Sequence, residues 1–160
     1  MVGRLVLFSM IAVAHATMAE TPAVCPWLAA GTAARVLGEP IVISAHSESN
    51  WEGGCSFVRQ SSGKMRAIEI QVSKVNPHAC PDNSTKLNAL GNDAVQCRRS
   101  TKKDEVSDLI TGRVRDAYFV VTMTNLPEAV REPGGSTHPA DLYGASGLEQ
   151  IAEQVAGSLF

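Results

Sequence analysis

The chain has 160 residues, a formal net charge of −2, and 44% hydrophobic but only 5% aromatic residues. Apart from Arg98-Arg99 and Lys102-Lys103 its basic residues are scattered, which argues against the concentrated basic surface of a nucleic-acid-binding protein. The few aromatic residues also disfavour a large stacking platform for carbohydrates.

Residues 1–19 have the three-part layout of a secretory signal peptide. Arg4 supplies the positive charge and residues 5–13 (LVLFSMIAV) form the apolar core. Small residues suit cleavage after Ala14-His15-Ala16 or, three residues later, after Thr17-Met18-Ala19. The apolar core has about half of the ~20 residues needed to span a bilayer, and no cysteine directly follows it. We therefore expect a cleaved leader and a single exported domain, residues 20–160, in the periplasm or outside the cell, without a membrane span.

The first half of that domain reads as a helix followed by strands. Apolar residues recur at helical spacing after Pro26, and Gly38 ends the run. Ile41-Val42-Ile43 predicts a short strand, and the polar stretch 45–54, which ends in two glycines, predicts a loop. Residues 55–75 then predict a β-hairpin, because apolar and polar residues alternate along its second arm.

The second half predicts further strands and a closing helix. The proline-containing stretch 76–84 is a loop, 94–99 a strand, and 106–124 a hairpin turning at Gly112, whose second arm is apolar enough for a central strand. Residues 126–144 predict a long loop. Ser146 is the expected N-cap of an amphipathic helix whose apolar positions are Leu148, Ile151, Ala152, Val155, Ala156 and Leu159.

This order of elements predicts an α+β fold. We expect an antiparallel sheet of about five or six strands, packed against an N-terminal and a C-terminal helix and held by two disulfides.

Four cysteines in an exported chain indicate two disulfides. Sequence alone leaves three pairings open. The favoured one joins Cys25 to Cys55, tying the first helix to the hairpin, and Cys80 to Cys97, closing the proline-containing loop onto the next strand.

Metal and redox sites are weaker alternatives. His78, Cys80, Cys97 and His138 are ligand types that zinc accepts, but the close Cys-x-x-Cys pair typical of zinc and redox sites is missing. We expect neither a metal nor another cofactor.

No catalytic motif stands out, so no catalytic residue is assigned. His46 and His138 lie near serines, and Glu48, Glu52 and Glu69 are close in sequence, but exposed residues of these types are common. Gly144-Ala145-Ser146-Gly147 lacks the spacing of a nucleophile elbow.

Several ordered landmarks resemble a family of exported bacterial domains of unknown function, found mostly in secreted or lipid-anchored actinobacterial proteins. The landmarks are a cysteine before a small-residue helix ending in Leu37-Gly38, then Gly54-Cys55-Ser56-Phe57, then Ala89-Leu90-Gly91-Asn92-Asp93-Ala94. The resemblance implies an α+β domain with a Cys25–Cys55 disulfide and carries over no catalytic residue. The chain departs from the family in lacking a lipid-anchor cysteine and in its extra pair, Cys80 and Cys97.

The resulting functional hypothesis is a non-catalytic exported domain that binds a protein or small ligand at the cell envelope. Its candidate binding residues are Trp51, His138 and Tyr143, which lie in the two longest predicted loops. The alternative is a small secreted hydrolase that uses a loop histidine. The sequence gives no oligomeric state.

Overall fold

The computed structural model describes residues 23–61, 64–88, 90–102, 105–124 and 140–160. Over these residues the chain forms one seven-stranded antiparallel sheet and two helices, which confirms the α+β fold. The expected count of five or six strands was too low. The elements are α1 (Ala30–Leu37), β1 (Val42–Ser49), β2 (Glu52–Ser61), β3 (Lys64–Ser73), β4 (Thr85–Lys86), β5 (Asn92–Lys102), β6 (Glu105–Val114), β7 (Ala117–Thr124) and α2 (Ala140–Ser158).

The sheet consists of two meanders joined side by side, the first formed by β1, β2 and β3 and the second by β4, β5, β6 and β7. Its strand order is β1-β2-β3-β7-β6-β5-β4, so neighbours in sequence are neighbours in space except where β3 pairs with β7. β7 is the central strand, and six of its eight residues are buried. Its apolar run therefore predicted its place in the sheet correctly.

One face of the sheet carries the hydrophobic core. Alternate side chains of β3 and β7 point into it, and α1 packs on β2 and β3 while α2 packs on β6 and β7. The predicted apolar stripe of α2 is buried throughout. The helix starts at Ala140, however, so Ser146 lies inside it and is not the N-cap, and residues 140–144 are not part of a loop.

The N-terminal helix is shorter than expected, because residues 25–28 are not helical. Trp27 is almost fully buried there, and its Nε1 donates a hydrogen bond to the backbone oxygen of Asn50, 3.0 Å away. At the other end of α1, Arg59 of β2 donates to the carbonyl oxygen of Leu37 over 2.8 Å. Contacts with the first hairpin thus define both ends of this segment.

Two predicted turns lie inside strands. The stretch 45–54 is the β1–β2 hairpin, with Asn50 and Trp51 alone between the strands; its polarity arises because β1 is an edge strand with exposed side chains. Gly112 lies within β6, and the turn falls at Arg115-Asp116, where Arg115 has a φ of 53°. Gly112 lacks a side chain because a Cβ there would lie 2.8 Å from the Phe119 ring.

Both disulfides have the favoured pairing. Cys25 bonds to Cys55 on the core side of β2, and Cys80 bonds to Cys97 of β5. The pairing removes both thiolates from the zinc alternative, which needed Cys80 and Cys97 as ligands.

The predicted leader, residues 1–19, lies outside the described residues, as does the part of the predicted 126–144 loop that precedes α2. Neither of the two described helices is long and apolar enough to cross a membrane.

Candidate functional site

The sheet face opposite the helices, called the polar face below, carries two aligned rows of side chains. The pairing of β1, β2, β3 and β7 places residues directly opposite one another, and side chains opposite one another share a face. The first row is His46, Gly54, Gln71 and Val120; the second is Ser44, Ser56, Glu69 and Thr122.

A hollow of about 580 Å³ lies over these two rows. Its floor is low on β2, because Gly54 has no side chain and Ser56 has a small one. Longer side chains stand on either side, His46 on β1 and Glu69 and Gln71 on β3. The His46 ring leans over Gly54: a Cβ at position 54 would lie 2.9 Å from His46 Cε1. The hollow is therefore built by a glycine next to a histidine on an edge strand.

On the side of β5 the polar face is covered, which bounds the hollow beyond β7. Over β5, Cys97 is bonded to Cys80, and Arg99 donates a hydrogen bond to the carbonyl oxygen of Ala79. The connection from β3 to β4 thus lies against this side of the sheet. Leu109, opposite Cys97 in the register, is only 3% exposed.

The polar face also contains a buried hydroxyl pair beside the hollow. Ser107 of β6 and Thr124 of β7 lie opposite one another, both are buried, and their hydroxyl oxygens are 3.0 Å apart. One hydroxyl donates to the other, so this buried pair stabilises the pairing of β6 and β7 and does not line the hollow.

The hollow can offer both donors and acceptors to a ligand. His46 supplies an imidazole, Glu69 a carboxylate and Gln71 an amide, and all three side chains are exposed. Ser44, Ser56 and Thr122 add hydroxyls along the second row. The lining is mixed, because Val120 and other apolar groups lie beside these polar side chains.

The same residues do not form a catalytic pair. A nucleophile and its base need to be within about 3 Å, whereas His46 and Glu69 lie on strands two spacings apart, roughly 10 Å. In the part of the chain that is described, His46 makes no hydrogen bond to a serine or a carboxylate.

The candidate residues from sequence do not assemble at the hollow. Trp51 lies in the β1–β2 turn, half-buried and packed against the core, and does not line the hollow. Tyr143 belongs to α2 and not to a loop, and His138 lies outside the described residues. His78 is exposed in the β3–β4 connection, with a φ of 45°.

Sequence reasoning missed Ser44, Ser56, Gln71 and Thr122, although a usable signal was present. The polar set of β3 alternates strictly with Ile68, Ile70 and Val72, which already placed Glu69 and Gln71 together on the face away from the core. The pairing of β3 with β7, which brings Thr122 beside Glu69, had no local signal.

No group of three or more histidine, cysteine or acidic side chains suited to a metal ion occurs among the described residues. No protein-family model matches the chain, and no significant match is found among curated proteins or solved structures.

Proposed function

We propose that this protein is a small exported, disulfide-stabilised, non-catalytic domain that binds a protein or a small ligand at the cell envelope. The observation that carries the proposal is the hollow on the polar face, where an absent side chain at Gly54 leaves exposed hydrogen-bonding groups on both sides.

The exposed imidazole, carboxylate and amide of the lining require a ligand that has polar groups of its own. Each exposed group that a ligand covers must be given a hydrogen bond in return, because an unsatisfied buried polar group costs about 1–3 kcal/mol. A ligand that fits His46, Glu69 and Gln71 therefore needs both donors and acceptors, such as a polyol, an amino acid or a polar peptide segment.

Export is the second part of the proposal. Two disulfides are typical of proteins that mature in an oxidising compartment, and the predicted signal peptide would deliver the chain there. The resemblance to exported actinobacterial domains is a further argument for the same location and leaves the function open.

A secreted hydrolase remains the alternative, with one observation in its favour. His46 shares the hollow with Ser44, Ser56 and Glu69. It lies on strand β1, not on a loop as the alternative first assumed. Catalysis would require a substrate to draw the imidazole and a hydroxyl into hydrogen-bonding distance.

Binding can be tested by NMR titration of the purified, exported protein with a library of sugars, amino acids and short peptides. We expect a hit to shift amide signals of β1, β2 and β3 around Gly54. The variant Ser56→Phe should abolish these shifts by filling the hollow. Gln60→Phe is the matched control, since Gln60 lies on the same strand and face but outside the hollow.

Three outcomes distinguish the binding domain from the hydrolase. Shifts that S56F removes and Q60F retains support the hollow as the binding site. Shifts elsewhere, or none, count against it. Turnover of an ester or peptide substrate that His46→Gln abolishes would favour the hydrolase.

A further inference from the structure

Among the described residues, no strand lies along the outer edge of β1. β1 is the first strand of the sheet, and among the described strands it pairs with β2 alone. An edge of this kind presents backbone N–H and C=O groups of alternate residues, which can pair with another chain.

β1 carries few of the features that keep edge strands from pairing. Proteins protect edges with lysines, prolines, bulges or very short strands. No lysine, arginine or proline occurs from Val42 to Ser49. The acidic residue Glu48 and the one irregularity in the pairing, between Ser47 and Ser49, both lie at the end of the strand. The opposite edge is β4, with only two residues, one of them Lys86.

The two faces of β1 define the strand that would fit beside it. Ile43 and Ala45 are half-buried and pack against the core on the helix side, whereas Ser44 and His46 are exposed on the polar face. An added strand would need apolar side chains on the helix side and mostly polar ones on the other. β1 itself has this pattern.

We propose that β1 pairs antiparallel with β1 of a second copy of this chain. A two-fold axis perpendicular to the sheet places like faces on the same side, so Ile43 and Ala45 meet their apolar counterparts and the two sheets become continuous. The pairing also covers Val42, which is 72% exposed. The inference goes beyond the proposed ligand-binding role and does not depend on it.

The dimer is weak and reversible. β1 has eight residues, and a single pair of such strands buries less surface than the roughly 1,200 Å² of a stable interface. Association is therefore expected only at high protein concentration.

Sedimentation velocity of the purified, exported protein from about 10 µM to about 1 mM tests the proposal at concentrations suited to a weak complex. The sedimentation coefficient should rise with concentration. Ser44→Lys should weaken association about tenfold or more, because pairing Ile43 with Ala45 of the second copy places residue 44 opposite itself and brings like charges together. Val42→Lys should also weaken it, because a lysine on an edge strand disfavours pairing with another chain. The matched control Met65→Lys replaces an exposed apolar residue of the same face on the inner strand β3 and should associate as the wild type does.

Hydrogen exchange of the wild type is a second measurement of association, and it requires no substitution. Alternate amides between Val42 and Ser47 should exchange more slowly at the higher concentration. A wild type that stays monomeric throughout overturns the proposal. So does an association that the β1 variants leave intact, or that Met65→Lys weakens equally, since the latter indicates stacking of polar faces.

Discussion

Removing the Cys25–Cys55 disulfide should destabilise the fold more than removing Cys80–Cys97. In the chain-entropy model a closed loop of 30 residues, the separation of Cys25 and Cys55, stabilises by about 3.6 kcal/mol. The 17-residue separation of Cys80 and Cys97 corresponds to about 3.1 kcal/mol.

The deeper burial of the first disulfide increases this difference in stabilisation. Cys25 and Cys55 are 8% and 4% exposed within the core cluster, so double replacement by alanine also leaves small cavities, worth about 1 kcal/mol together. The second pair is only half-buried and adds little. Near Tm the unfolding entropy of a domain of this size is about 0.3 kcal/mol/K. We therefore expect Tm to fall by about 15 °C for the first double variant and about 10 °C for the second.

Differential scanning calorimetry of the oxidised wild type and the two double-alanine variants measures both shifts under the same conditions. The reasoning is refuted if Cys25→Ala/Cys55→Ala melts within about 3 °C of the wild type, a change of about 1 kcal/mol. It is also refuted if the second pair proves the more stabilising one. Nearly equal decreases in Tm would agree with the loop-entropy estimate and contradict the added contribution of burial at Cys25 and Cys55.

Two further predictions concern packing and hydrogen bonding. Gly112→Ala should lower the free energy of unfolding by about 2 kcal/mol, because its Cβ would meet the Phe119 ring. The control Gly31→Ala, in α1 with no atom within 4 Å, should raise it by about 0.5–1 kcal/mol in the same urea titration. Ser107→Ala should lower the free energy of unfolding by about 1–2 kcal/mol, because it leaves the Thr124 hydroxyl unpaired. The double variant Ser107→Ala with Thr124→Val removes both hydroxyls and should stay within about 0.5 kcal/mol of the wild type. Equal losses in the single and double variants would contradict this account.

The sequence was most informative where one face of an element is buried and the other is not. Such a face imposes a period of two on β3 and a helical period on α2, and both elements were predicted from it. The starting point of α2 was not, because the apolar stripe begins only at Leu148, while the helix begins at Ala140.

Predictions failed where tertiary contacts override local composition. Gly112 is a turn residue by type, but in β6 it makes room for an aromatic ring from the neighbouring strand. Similarly, the polar residues of β1 indicated a loop, because an edge strand with little buried surface has few apolar residues to mark it.

The hollow could be predicted only in part. Period-two alternation assigns Glu69 and Gln71 to one face, but the contribution of Thr122 depends on the pairing of β3 with β7, which are about fifty residues apart. Local sequence carries no signal for such a pairing, since it is set by how the two meanders meet.

The junction between those meanders has a consequence for how the chain matures. Cys25–Cys55 lies within the first meander and its helix, and Cys80–Cys97 lies within the second. Neither disulfide crosses from one meander to the other, so β3 and β7 are held together by hydrogen bonds and by the helices packed over them. Both covalent links can therefore form before the halves meet. Under mechanical load the sheet should part along this line into two crosslinked halves, each retaining its own disulfide.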